Sequence, residues 1–476
     1  MSRYRQRSDE QRQNPRHIND VDRLLMERNV VFGQDSINQG ENLRESNDAF
    51  GEITGNNFEG DDVGRGLPVR SQYTIRKPIH DPNEHLDFKL FDDSPSKLNV
   101  RSNDTSGGSG IGFADVSSSM TKISTQINPV TINSSQIERL NNNLFYYLFD
   151  LYSGENYIIN GFGFYNLFAA MCLSCSGISE LELKKFFDFP QKDVLYKGLL
   201  KINDSYASIK DMINIKNFFI VGNDVPYNPH YYDSIKDFCI LIRANTANPV
   251  NESEKVNMLI RKIMGCNLRH PITPDHLRNL QLMFLTTATV HPVWACGFDK
   301  ITKGIFQGPK RVYCNYLHSV GKSFGYFEDN LHQILEIKCN KGLVMGFILH
   351  KQDMVADIDD NKLHFYISHM KDMVLDEVKI PMFQQDLKMR FNSTFKNLGL
   401  QSIFMRVTAP NFFPEGIVLQ DIIQNIRIIV DDAFVSNNGT NRGYRTVRKF
   451  IADVPFIYYF RMTGTDTILL MGVYNQ

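Results

Sequence analysis

Seven cysteines in 476 residues are too few to staple a fold of this size, and their odd number leaves at least one thiol free or paired between chains. No apolar run reaches the roughly 18 residues needed to cross a bilayer. The opening stretch MSRYRQRSDEQRQNPRH lacks the apolar core of a secretory signal. The chain is therefore expected to stay inside the cell, in cytoplasm or nucleus, with no membrane partner. Charge of one sign is also missing: 52 Lys and Arg stand against 53 Asp and Glu, so no overall field draws the protein to a polyanion. There is no G-x-x-x-x-G-K-[ST] phosphate loop, and no nucleophile, base and orienting acid at a recognisable spacing. Cys172-x-x-Cys175 has metal spacing but lies on an all-apolar stretch with no second pair, and His291, His318 and His332 are scattered among strand-like residues. The expectation is no enzyme, no cofactor and no metal.

What is present falls into two textures. Residues 1–134 are polar, rich in Asn, Asp, Ser, Gly and Arg, with a linker-like NDTSGGSGIG at 103–112, and cannot bury enough apolar surface to fold alone. Within them Val21, Leu24, Leu25, Met26, Val30, Val31 and Phe32 form one apolar cluster, for which a solvated tail has no use. It reads as a contact that orders on a partner surface, that of another copy of the chain. Arg3, Arg5, Arg7, Arg12 and Arg16 suggest a nucleic-acid arm, but Asp9, Glu10, Asp20 and Asp22 are interspersed, and nucleic acid is not the expected partner.

Residues 135–476 have the texture of one large domain. SQIERLNNNLFYYLFDLYSG repeats apolar residues every three or four positions and stops at Gly154, as an amphipathic helix does. A short YII follows, then FGFYNLFAAMCLSCSG, apolar all round and so a buried helix. Glu254–Met264 is amphipathic, Gln333–Leu349 alternates as strands do, and Ile417–Val430, Ala452–Phe460 and Thr467–Tyr474 close the chain as apolar segments. Helices first and strands later predict an α+β fold with helices packed on mixed or antiparallel sheets.

Several of these stretches, in order, resemble the serpin superfamily: NYIINGFGFYNLFAAMCLSCSGISELELKKFFDFP (156–190), VNMLIRKIMGCNLRHPITP (256–274), LTTATVHPVWACGFD (285–299), GKSFGYFEDNLHQILEIKCNKGLVMGFILHK (321–351), VKIPMFQQDLKMRFNSTFKNLGLQSIF (378–404) and FIADVPFIYYFRMTGTDTILLMG (450–472). The resemblance implies a sheet-dominated scaffold in which inhibitory members offer a long exposed loop as bait and, once cut, insert it into the central sheet as a new strand.

Two departures bear on that mechanism. Asn437-Asn438-Gly439-Thr440 stands where the family has Glu-Glu-Gly-Thr, but an alanine-rich hinge does not follow. Instead come Asn441 to Lys449, NRGYRTVRK, which at about 3.3 Å per residue reach roughly 30 Å fully extended. That is not enough for bait and then a full strand. Arg442, Tyr444, Arg445 and Arg448 would also ask the sheet to accept large or charged side chains. Second, Asn160-Gly161-Phe162-Gly163 replaces the family's Ser-Pro-x-Ser at the start of the buried helix, in the region that lets the sheet part.

The sequence thus predicts a non-inhibitory serpin fold, static, whose extension and unpaired cysteines link copies into an intracellular lattice such as a viral occlusion-body matrix. Cys266 (GCNLRH) and Cys339 (KCNKG) lie in polar turns and are expected to be exposed and to bridge chains, with Cys172 and Cys175 buried. A protease inhibitor or decoy with an altered loop, and a non-inhibitory binding module, are the alternatives.

Overall fold

The computed structural model describes residues 129–354, 357–432 and 448–475. The helices are α1 (Pro129–Leu151), α2 (Gly161–Ser174), α3 (Gly177–Phe187), α4 (Lys192–Ala207), α5 (Pro229–Ile235), α6 (Pro249–Met264), α7 (Pro274–Leu277), α8 (Asp360–His369), α9 (Asn392–Asn397) and α10 (Ser402–Met405). The strands are β1 (Tyr157–Ile159), β2 (Ile213–Gly222), β3 (Ile240–Ala244), β4 (Leu282–Val290), β5 (Lys300–Gln307), β6 (Arg311–Ser319), β7 (Lys322–Glu328) and β8 (His332–Lys338), then β9 (Leu343–His350), β10 (Lys371–Leu375), β11 (Glu377–Pro381), β12 (Phe383–Arg390), β13 (Leu419–Val430), β14 (Lys449–Ile451), β15 (Phe456–Met462) and β16 (Thr467–Tyr474).

They form three sheets, ordered β12-β13-β4-β2-β3, β1-β16-β15-β9-β8-β7-β10 and β14-β11-β6-β5. Antiparallel pairings dominate, with parallel ones at β13/β4, β2/β3 and β11/β14. The α+β expectation, helices packed on mixed sheets, is what the structure shows.

Helix α2 is buried over nearly its whole length because it lies between the two larger sheets, packed on β2 and β4 on one side and β16 on the other. Its Phe168 ring meets Phe284 of β4 edge-on at 5.4 Å, and Phe284 stacks on Phe219 of β2 at 4.7 Å. Each such fully buried side chain is worth about 1.5–3 kcal/mol of transfer free energy. An apolar run without an exposed face is what this position demands.

Helix α6 is the opposite case. Val256, Ile260 and Met264 recur every fourth residue and are buried, Asn248 caps the start by accepting from the Asn251 amide at 3.3 Å, and Gly265 ends it at φ +65°. The amphipathic reading of that segment therefore finds a helix starting earlier, at Pro249. α1 likewise starts at Pro129, ahead of the 134/135 division. The alternation read over Gln333–Leu349 does not set exposure: β8 and β9 are covered on both faces in the middle of the seven-stranded sheet, where period-two patterning loses its meaning.

Candidate functional site: the seam of the five-stranded sheet

Strands β13 and β4 run parallel and in direct register, with Gln424 opposite Thr286. No other strand lies between them, so the central sheet is closed. Beneath that registered pair sits the start of α2. The Asn160 amide donates to Gln424 Oε1 at 2.7 Å, and Asn160 Nδ2 donates to Thr286 Oγ1 at 2.8 Å. One residue is therefore tied to both sides of the seam. The Thr286 hydroxyl donates to Asn217 Oδ1 of β2 at 2.8 Å, and Gln424 Nε2 donates to the Ile158 carbonyl of β1 at 2.7 Å. Asn160, Thr286 and Gln424 are fully buried, where each of these bonds counts for more than in water and an orphaned partner costs about 1–3 kcal/mol.

The two glycines at this helix start are dictated by close approach. The Gly161 amide donates to Asn141 Oδ1 of α1 at 3.0 Å, a bond that proline at 161 would lack. A Cβ on Gly163 would lie 2.1 Å from Thr286 Oγ1 and 2.4 Å from Asn160 Nδ2. The side chains of Asn141, Asn160 and Thr286 fill the room that a proline and a second serine would take. The sequence departure at 160–163 is thus matched by its surroundings.

At the end of the seam, Asp431 follows β13. Its carbonyl accepts from the Trp294 indole N–H at 2.8 Å, and its Oδ1 lies 2.9 Å from His291 Nε2, just after β4. Trp294 is fully buried and edge-on to Phe298 at 5.6 Å, and the bond to Asp431 supplies the partner that a buried indole N–H needs.

The chain from β13 to β14 comprises residues 431–448. Of the loop residues singled out from sequence, Asn437, Asn438, Gly439, Thr440, Arg442, Tyr444 and Arg445 lie outside the described residues, as does the Val21–Phe32 cluster. Arg448 is described, and it is held: its carbonyl accepts from the Asp376 amide at 2.8 Å. Lys449 pairs in register with Glu377 of β11, and its Nζ reaches Glu377 Oε2 at 2.9 Å. Lys379 Nζ lies 2.8 Å from the other oxygen. The hydrogen bonds from these two lysines hold the Glu377 carboxyl down at about 2.

The cysteine reading needs correcting. Cys339 is buried rather than exposed: it forms a β-bridge with Trp294, and burial pushes its thiol up to about 12. A polar turn in sequence became a tucked corner because Trp294 docks on it. Cys266 is half-buried, and the exposed thiol is Cys296, two residues past that tryptophan. Cys172 and Cys175 are buried as expected. All seven are free.

Sequence reasoning missed the bolt itself. Its signal was the polar pair Thr286-Thr287 inside LMFLTTATV and Gln424-Asn425 inside DIIQNIRIIV, since polar residues in the middle of a buried strand need partners.

A three-sheet scaffold with a helix beneath a parallel seam, and a strand-to-strand bridge leaving the end of that seam, defines the class of protein. The family model for Serpin (serine protease inhibitor) matches residues 135–476, and the chain belongs to that family, which is one of inhibitors rather than catalysts. It is 23% identical over 335 residues to an uncharacterized serpin-like protein of Acanthamoeba polyphaga mimivirus, covering 64% of this chain and 81% of that one. It is 21% identical over 361 residues to glia-derived nexin of Homo sapiens, covering 68% and 88%. Among solved structures, native protease nexin-1 with heparin superposes with a TM-score of 0.66 at 18% identity, covering 73% of this chain and all (100%) of that one. Maspin does so at 0.66 and 14%, covering 73% and 99%. At such identities the likeness carries the fold.

Proposed function

We propose that this protein is a non-inhibitory serpin that serves as a structural element, associating with copies of itself inside the cell. The observation that carries the reading is the bond pair from Asn160 to Gln424 and Thr286. A strand entering between β13 and β4 would move them apart by about 4.8 Å, and both bonds cannot survive that. Loop length supports the same conclusion. A strand matching the nine residues of β4 would use all of 440–448, so the cut would have to fall at Lys449, which is already paired in the four-stranded sheet. In either register one face of that strand would carry arginine, Arg442 and Arg448 or Arg445, into the helix-covered side.

Self-association is supported by the other end of the same sheet. β5 is its terminal strand, and Ile305 faces Tyr313 across the β5/β6 register, the tyrosine 81% exposed. β5 carries exposed Ile301 and Ile305 between Lys300, Lys303 and Gln307, and its unpaired backbone edge is a template for another chain. In this reading Cys266 and Cys296 cross-link copies, Cys296 taking the place first given to Cys339, and the residues ahead of α1, with Val21, Leu24, Leu25, Met26, Val30, Val31 and Phe32, supply the reach between them.

The test has two parts. Incubation with serine and cysteine proteases followed by denaturing gels should show no band at the summed mass. Sedimentation of the full chain should show large species that loosen with reductant and with the Cys266→Ser, Cys296→Ser double variant. A covalent protease adduct would overturn the non-inhibitory reading in favour of an inhibitor with an altered loop. A strict monomer would overturn the structural one and favour a binding module.

A further inference from the structure

We propose that His332, His350 and Asp357 form a binding site for a divalent transition-metal ion, with zinc the best match. The site is separate from the seam. His332 opens β8 and His350 closes β9, and the two are register partners across the hairpin. Their rings therefore share a face of the seven-stranded sheet, centroids 4.7 Å apart. The segment ahead of α8 brings Asp357 to them. Its Oδ1 lies 3.2 Å from His332 Nε2 and 3.1 Å from His350 Nε2, and the three atoms lie within 4.8 Å of one another. His332 is fully buried and the His350 side chain nearly so. A sequence reading that saw scattered histidines had no means of knowing that hairpin register would join two of them.

The surroundings leave the ligand atoms facing one another. His332 Nδ1 lies 3.0 Å from the Tyr366 hydroxyl and 3.5 Å from Asp329 Oδ1. With that nitrogen so engaged, Nε2 is the atom turned to Asp357 Oδ1, and a metal ion there would take the place of the hydrogen that otherwise joins the imidazole to the carboxylate.

The donor set selects the ion. Two imidazoles and one carboxylate suit zinc, whose bonds of about 2.0–2.2 Å in tetrahedral geometry place ligand atoms roughly 3.3 Å apart. The two measured separations to Asp357 Oδ1 are already close to that. The Tyr366 hydroxyl, 3.0 Å from Nδ1, orients the His332 ring, as outer partners of zinc-bound histidines do. One group opposes the ion: Lys362 Nζ lies 3.3 Å from Asp357 Oδ2, on a half-exposed side chain free to swing into water.

The test uses the full chain stripped with chelator, titrated with Zn²⁺ and with Co²⁺, whose visible bands report four-coordinate geometry. One ion per chain is expected. His350→Gln and Asp357→Asn should each weaken binding by about 100-fold or more and abolish the four-coordinate cobalt spectrum. Tyr366→Phe, which touches no metal, should weaken it by about 10–100-fold, and Lys362→Ala should strengthen it. A folded, stripped chain that takes up no Co²⁺ at roughly millimolar concentration, far above any structural-site dissociation constant, would overturn the proposal and leave a hydrogen-bonded cluster in its place. Affinity unchanged in His350→Gln and Asp357→Asn would do the same. If those two variants fail to fold, unchanged affinity in both Tyr366→Phe and Lys362→Ala decides against it.

Discussion

At the β4/β13 seam, polar side chains are buried and paired with one another across a strand boundary, whereas at the end of the four-stranded sheet apolar side chains stand in water. Asn160, Thr286, Gln424 and Asn217 spend hydrogen-bonding capacity on holding two strands together. Ile305 and Tyr313, with Ile301 on the same strand, leave apolar area uncovered. A protein that had to open its central sheet would be expected to economise on the first arrangement, and one that had to stay monomeric would avoid the second. The contrast separates the place where this chain uses polar side chains to tie strands together from the place where it leaves apolar area in water.

The sharpest way to break the comparison is to disturb the seam. Gly163→Ala puts a methyl group into space held by Thr286 Oγ1 and Asn160 Nδ2. Overpacking of about 1–3 kcal/mol then adds to the loss of a buried bond, about 1–3 kcal/mol more. Gln424→Leu keeps the volume but orphans the Asn160 amide and the Ile158 carbonyl, and should cost about 2–6 kcal/mol by the same reasoning. Denaturant midpoints with unchanged slope would measure both. If either variant were as stable as the parent, the bonds at the seam would not be what holds the strands together.

The edge should respond the other way. Ile305→Thr with Tyr313→Ser removes exposed apolar surface from the terminal strand β5 and its neighbour β6, so folding stability should shift by no more than about 0.5 kcal/mol. Association should drop all the same, read as a lower sedimentation coefficient at equal protein concentration. A large loss of stability would show these residues to be core, and unchanged association would move the contact elsewhere.

How much of this was legible beforehand depends on which physical signal each feature leaves in the sequence. The buried helix α2 could be read because an apolar run without a polar stripe has only one place to go. The α6 segment could be read from its period, and its start only from Asn248-Pro249, a cap that periodicity does not see. The departure at Asn160-Gly161-Phe162-Gly163 was visible as a mismatch, but its meaning was not, because Asn141, Thr286 and Gln424 that fill around it are distant in sequence and meet only through sheet register. Cys339 was misplaced for a related reason. KCNKG is a polar turn by composition, and only the docking of Trp294 onto it removes the thiol from water. The His332/His350 pair likewise exists through hairpin register alone.

A further small effect is expected between the two regions, where β14 joins the four-stranded sheet and the bridge from the seam ends. Glu377 holds Lys449 of β14 and Lys379 of its own strand, and its carboxyl is depressed to about 2 from an ordinary value of 4.5. A folded value below the unfolded one means that the native state keeps its proton off more readily. The carboxylate therefore contributes stability that is fully present above pH 4.5 and is lost as pH falls toward 2. Because the group lies near the surface and its partners are lysines in water's reach, that contribution is at most about 1 kcal/mol. Glu377→Gln should lower the urea midpoint slightly at pH 6, and the gap to the parent should narrow steadily between pH 4.5 and 2, since glutamine does not titrate. Amide exchange in β14 should quicken in the variant at pH 6 while exchange in β4 and β13 stays as it was. A gap that persisted unchanged down to pH 2, or one that spread to the seam, would mean that the end of the bridge and the bolt under α2 form one cooperative unit, and the contrast between the two regions would be a difference of composition without a difference of role.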